Sequence, residues 1–93
     1  MRRINRPTSF KRDYKREAKG RHRSTLDDDL LPVLKALVAD QSLDPHYRDH
    51  TLTGDWKGYR ECYIKPNLLL IYRKTDDNSL ILTRLGSHSE LFG

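Results

Sequence analysis

The stretch Leu68-Leu69-Leu70-Ile71-Tyr72-Arg73 decides how this chain is read. A continuous apolar run does not fit a strand with one wet face, where hydrophobic and polar side chains alternate. It is also too short for a helix, and turn signals bound it: Lys65-Pro66-Asn67 before and Asp76-Asp77-Asn78 after. The run therefore predicts a central strand, Leu68 to Arg73, buried on both faces. Trp56 to Ile64 alternates as a strand on its N-terminal side, and Leu80 to Leu85 supplies a third on its C-terminal side. Together they predict an antiparallel meander, with Arg2 to Asn5 as a candidate edge strand.

Upstream the period lengthens. Phe10, Tyr14 and Ala18 recur every four residues, Thr8 or Ser9 is placed to cap a helix, and Gly20 to end it. Ser24 or Thr25 opens a second helix, with Leu26, Leu30, Leu34, Leu37 and Val38 on one stripe and Asp27, Asp28 and Asp29 near its positive end. Pro32 either kinks that helix near residue 28 or delays its regular start to about Asp29. Gln41 to Asp55 reads as an extended connector punctuated by Pro45 and Gly54. The expected class is α+β: an N-terminal helical hairpin packed on one face of a small twisted antiparallel sheet, with another element over part of the other face.

Ninety-three residues allow a single domain, residues 1 to 93, with one modest core. No segment approaches the roughly 18 apolar residues of a membrane helix, and the start, MRRINRP, lacks the apolar region of a signal peptide, so a cytoplasmic protein without membrane contact is expected. The lone cysteine, Cys62, has no internal disulfide partner and reads as strand packing. The net charge of +5 is unevenly spread. Residues 1 to 23 hold ten Lys and Arg against Asp13 and Glu17, whereas residues 24 to 55 hold two against seven Asp. So dense a basic segment suits a polyanion or an acidic protein partner, and equally a solvated helix face.

The sequence contains no glycine-rich phosphate loop, HExxH, cysteine pair or nucleophile elbow. His50 lies just before the first strand of the meander and His88 just after the last, so a compact sheet is expected to bring both to one edge; each alone also reads as a surface or capping histidine. His46 and His50, four apart, would suit a metal only in a helix, which Pro45 opposes. Lys57, Arg60, Arg73 and Arg84 lie within the strands, where they suit phosphate or simply an exposed face. Tyr59, Tyr63, Trp56 and Phe92 can stack on unpaired bases, although Trp56 and Tyr72 fit the core better.

From Tyr47 to Gly93 these residues form a specific pattern: Asp49-His50, Leu52-x-Gly54, Trp56-Lys57-Gly58-Tyr59-Arg60, Leu69-Leu70-Ile71-Tyr72, Arg84-x-Gly86-Ser87-His88 and a closing Leu91-Phe92. It closely resembles the YafQ branch of the RelE superfamily of bacterial toxins. The resemblance implies a RelE-like microbial RNase fold and a toxin of a type II toxin–antitoxin pair. It further implies an endoribonuclease that cuts mRNA on the translating 70S ribosome without a metal or other cofactor, silenced by a cognate antitoxin and reaching operator DNA through the antitoxin complex. Matched position by position, His50 and His88 fall on histidines assigned to catalysis, Arg84 on a phosphate-holding arginine and Phe92 on an aromatic that places the RNA. Two positions depart from the pattern: Tyr63 replaces the usual histidine of the first long strand, and Asn67 the usual aspartate after the turn. Glu61 stands where some relatives carry aspartate.

Metal-free RNA cleavage requires a base for the 2′-hydroxyl proton, an acid for the departing 5′-oxygen and cations for the extra charge on phosphorus. The expected assignment is His50 as base and His88 as acid, or the reverse, with Arg84 and Arg60 on the phosphate and Phe92 and Tyr63 orienting the RNA. Lys57, Glu61, Asn67 and Arg73 complete the RNA-binding set. A basic module that blocks translation without cutting is the alternative.

Overall fold

The computed structural model describes residues 1–93 and contains one five-stranded sheet with three helices. In chain order the elements are β1 (Arg3–Asn5), α1 (Thr8–Ala18), α2 (Leu26–Val38), β2 (His50–Thr51), β3 (Arg60–Lys65), β4 (Leu68–Lys74), β5 (Ser79–Gly86) and α3 (His88–Phe92). The strand order is β1-β5-β4-β3-β2; β1 runs parallel to β5 and the other neighbours are antiparallel. The α+β class, the meander and the edge strand agree with the sequence reading. No helix is long and apolar enough to cross a membrane.

Leu68 to Tyr72 are buried on both faces, none more than 1 % exposed. Leu68, Leu70 and Tyr72 join Phe10 of α1 and Leu26, Leu30, Val33 and Leu37 of α2 in the main core, which also encloses Cys62. Burial pushes the Cys62 thiol far above its ordinary range, so it behaves as packing. On the other face Leu69 and Ile71 meet Leu91 of α3, with Leu52, Trp56, Tyr59, Tyr63 and Phe92 half-buried around them. The element expected over the second face is thus α3 together with the turn that carries Trp56.

Several local expectations are corrected. Neither Thr8 nor Ser9 caps α1, which begins after Pro7; the Ser9 hydroxyl donates instead to the Thr83 carbonyl. Helix α2 runs unbroken through Pro32, which merely lacks an N–H to donate one turn back. The first strand of the meander starts at Arg60, because Gly54 and Gly58, at φ +65° and +93°, fold the residues around Trp56 into a turn. The connector contains a 3-10 turn at Pro45–Tyr47 and the short strand β2, so it is not simply extended.

One sheet edge is finished by side chains. Strand β1 pairs with β5 only as far as Ile81, leaving the rest of that edge open. Helix α1 closes it: Ser9 donates to Thr83 O at 2.8 Å, Arg16 donates to Leu85 O at 2.8 Å, and the Asp13 carboxylate accepts from Leu85 N–H at 3.0 Å. Unpaired edge groups would otherwise invite another strand.

Candidate active site

Strand pairing aligns much of the expected site. His50 pairs with Glu61, Glu61 with Ile71, and Ile71 with Arg84, so one row crosses β2, β3, β4 and β5. Directly paired residues share a face, and Ile71 packs under Leu91, so this row belongs to the α3 face. Tyr63, Leu69 and Gly86 form the next row. The two histidines therefore do not share a sheet edge as expected. His50 stands on the outer strand β2, whereas His88 follows β5, three strands away in sheet order; α3 brings His88 back over the same face.

His50 is held by the backbone before it. Its Nδ1 lies 2.6 Å from the Arg48 carbonyl, which can only accept, so Nδ1 is the donor in that bond and Nε2 is the ring nitrogen left for other partners. That Nε2 is 3.9 Å from the carboxylate of Glu61, which is buried. The backbone before it is held by Asp49, which accepts from Tyr72 OH and from Arg60 Nη2, the latter at 3.0 Å. Burial, reinforced by the bond to Asp49, pushes the Tyr72 phenol far up and keeps it a donor. Arg60 is the partner of Tyr72 across the strands, so it starts from the helix face and is engaged there. The structure does not bring it together with His50 and Arg84 as a phosphate cation; it steadies the segment that carries His50.

His88 opens α3, whose five residues cannot hold a helix unaided. A capping box does so: Ser87 Oγ accepts from Glu90 N–H at 3.2 Å, and the Glu90 carboxylate accepts from Ser87 N–H at 2.8 Å. The bond from Ser87 N–H holds the Glu90 carboxyl below its ordinary value. Leu91 inserts beside Leu69 and Ile71, and Arg16 pairs with Glu90 at 3.1 Å. The exposed His88 ring lies 4.9 Å from the ring of Phe92, which meets Trp56 edge-on at 6.0 Å. Trp56, expected in the core, is half-buried on this face and also meets Tyr59 edge-on at 5.4 Å.

Gly86 serves close approach. A β-carbon there would lie 2.7 Å from an Arg16 nitrogen and 3.1 Å from a Glu90 oxygen, so glycine lets the Arg16 and Glu90 side chains meet over β5 without shifting. Arg84, aligned with Ile71, turns to the buried carboxylate of Asp13, with Nε at 2.6 Å and Nη2 at 3.2 Å. Burial would push the Asp13 carboxyl up, but hydrogen bonds from Arg84, Leu85 N–H and Arg16 outweigh it and hold the group below its ordinary value. Arg84 keeps Nη1 outside that pair.

The remaining expected residues are dispersed. Arg73 places its guanidinium 5.5 Å from the Tyr59 ring centre, on the α3 face. Lys57 is exposed beyond the Trp56 turn. Asn67 lines a polar pocket of about 440 Å³ with Arg16, Arg21, His22, Ser87 and Ser89, the last two flanking His88. His46 bonds to Asp44 at 2.7 Å, apart from the Arg48 carbonyl that holds His50, and no group of three His, Cys, Asp or Glu side chains is placed to hold a metal ion. Sequence reasoning missed Asp13, Arg16 and Arg48. Their partners are distant in the chain or depend on backbone geometry; only the Ser87-x-x-Glu90 capping box was there to be read.

The whole chain has known counterparts. Residues 2–93 match the family described as bacterial toxin of type II toxin–antitoxin system, YafQ. The mRNA interferase toxin YafQ of Escherichia coli K12 is 35 % identical over 92 residues, covering 97 % of this chain and 99 % of that protein. A crystal structure of the E. coli DinJ–YafQ complex contains a chain that aligns with a TM-score of 0.86 and 34 % identity, over the full length of both. A copper-bound mutant toxin from Helicobacter pylori aligns with a TM-score of 0.86 and 40 % identity, over 99 % of this chain and 100 % of that one. With residues 2–93 matched by the family and the fold shared along the full length of solved relatives, the chain belongs to the YafQ family of bacterial type II toxin–antitoxin toxins.

Proposed function

We propose that this chain is the toxin of a type II toxin–antitoxin pair and acts as an mRNA interferase, an endoribonuclease that cleaves mRNA on the ribosome. One observation supports the chemistry: the Arg48 carbonyl engages His50 Nδ1, which leaves Nε2 available to act as a base, and His88 stands beside Phe92 on the helix that packs against the same face. In this reading His50 takes the proton of the attacking 2′-hydroxyl and His88 protonates the departing 5′-oxygen. Such acid–base help is worth about 100- to 10,000-fold in rate. The free Nη1 of Arg84 meets the charge on phosphorus, and Phe92, Trp56 and Tyr63 orient the bases. Arg73, Lys57 and Asn67 contact the flanking RNA, and Glu61 beside Nε2 stabilises His50 once it is protonated.

The reaction is assigned to the cytoplasm, with a cognate antitoxin, mRNA and the 70S ribosome as partners and operator DNA reached through the antitoxin complex. A second reading rests on Tyr63 and Asn67: a phenol and an amide replace the imidazole and carboxylate of the sequence pattern, which suits ribosome binding without cutting. Induction with and without the neighbouring antitoxin gene, followed by RNA 5′-end mapping, separates the two. The nuclease gives codon-associated cuts that the antitoxin suppresses; arrested translation with intact mRNA overturns that assignment.

A further inference from the structure

We infer that Arg48, stacked on Tyr63, is a second phosphate-binding site for RNA, at the His50 end of the face; the inference rests on the proposed RNA-cleaving function. Five of the eleven arginines, Arg2, Arg3, Arg16, Arg60 and Arg84, each pair with a carboxylate. Only Arg48 and Arg73 lie over an aromatic ring, and Arg48 holds its guanidinium 5.8 Å from the ring centre of Tyr63, with no carboxylate partner. A cation over an aromatic face keeps its charge, and its N–H edge remains open to two parallel hydrogen bonds with a phosphate.

The backbone at Arg48 supports a local function. Its φ of +51° lies in the left-handed region, where a side chain other than glycine is unfavourable and persists only when its surroundings impose it. In that conformation Arg48 ends the 3-10 turn at Pro45–Tyr47, turns its carbonyl to His50 Nδ1, and lays its side chain over Tyr63 in the second row of the face. One residue thereby prepares the base and supplies a cation beside it. Arg73 repeats the stacking on Tyr59 but has no link to a histidine, which makes it a contact farther along the RNA.

The test uses the backbone to separate fold from function. Arg48→Gly relieves the left-handed strain and keeps the carbonyl, so the melting temperature is unchanged or higher. Its affinity for an uncleavable 2′-O-methyl RNA is expected to fall about tenfold, and the salt dependence to lose about 0.7 of a logarithmic unit, the value of one phosphate contact on a single strand. Arg48→Lys, which keeps a point charge, recovers part of the affinity. Tyr63→Leu weakens binding at least as much, since it also removes a ring that orients the bases, and the double variant loses less than the sum of the two single losses because the two side chains act together. Arg48→Gly binding within twofold of wild type, with an unaltered salt slope, overturns the inference. Because binding is read without cutting, that failure is distinct from a wild type that binds RNA but leaves mRNA intact.

Discussion

The two faces of the sheet are built from the same strands and finished in different ways. Under α1 and α2, thirteen buried residues form a continuous apolar layer. Beneath α3 the buried apolar side chains are just Leu69, Ile71 and Leu91, inside a ring of half-exposed aromatics and of arginines that lie over tyrosines. The first face closes on itself; the second stops short of a core and leaves imidazole and guanidinium groups facing solvent. The division follows from charge, because burying an uncompensated charge costs more than a small core returns.

The sharpest test of that division is chemical. His88→Ala is expected to reduce RNA cleavage by about 100- to 10,000-fold, read by 5′-end mapping, with the unfolding transition unchanged because the ring is exposed. Equal cleavage by wild type and variant would remove the histidine from the mechanism.

The next effect lies where the faces join. Asp13→Ala strips a buried carboxylate from Arg16, Arg84 and Leu85 N–H and is expected to cost about 3–5 kcal/mol in urea unfolding. The same group gives an acid limit. Its carboxyl is held below the ordinary 3.8, so its contribution is complete above that pH and is lost as pH falls through the lower folded value. Wild type should lose stability below about pH 4 more steeply than Asp13→Asn, measured as urea midpoints against pH.

Truncating one leucine on each side compares the faces directly. Leu70→Ala, in the main core, is expected to fall in the upper part of the 2–5 kcal/mol range and Leu91→Ala near about 2 kcal/mol, since Leu91 is already 8 % exposed. Cleavage should nevertheless suffer more from Leu91→Ala, which unmoors the helix carrying His88 and Phe92. Gly86→Ala is the mildest change, about 1 kcal/mol, because the atoms it crowds are the ends of the flexible Arg16 and Glu90 side chains, and is read as a lowered melting temperature together with reduced cleavage.

Much of the fold was legible because it follows from periodicity. The five-residue apolar run announced a strand buried twice, and the switch from a period of four to a period of two divided helices from sheet. The Trp56 turn and β2 were misread because short segments are shaped by positive-φ glycines and by a partner strand, neither of which leaves a hydrophobic pattern. In the site, His50, His88, Arg84 and Phe92 were readable as residue types suited to RNA chemistry. That Arg60 belongs to the other face was not, because it follows from the register with Tyr72.

By itself, then, the sequence determined the α+β class, the central strand, the placing of two histidines at the ends of the meander and the family pattern, all properties of local order and composition. The tertiary structure alone decided which cations are neutralised and which remain open. Asp13 meets Arg84 and Arg48 meets Tyr63 across gaps in the chain that no local preference spans. Charge pairing depends on distance in space, and only the packed sheet sets that distance.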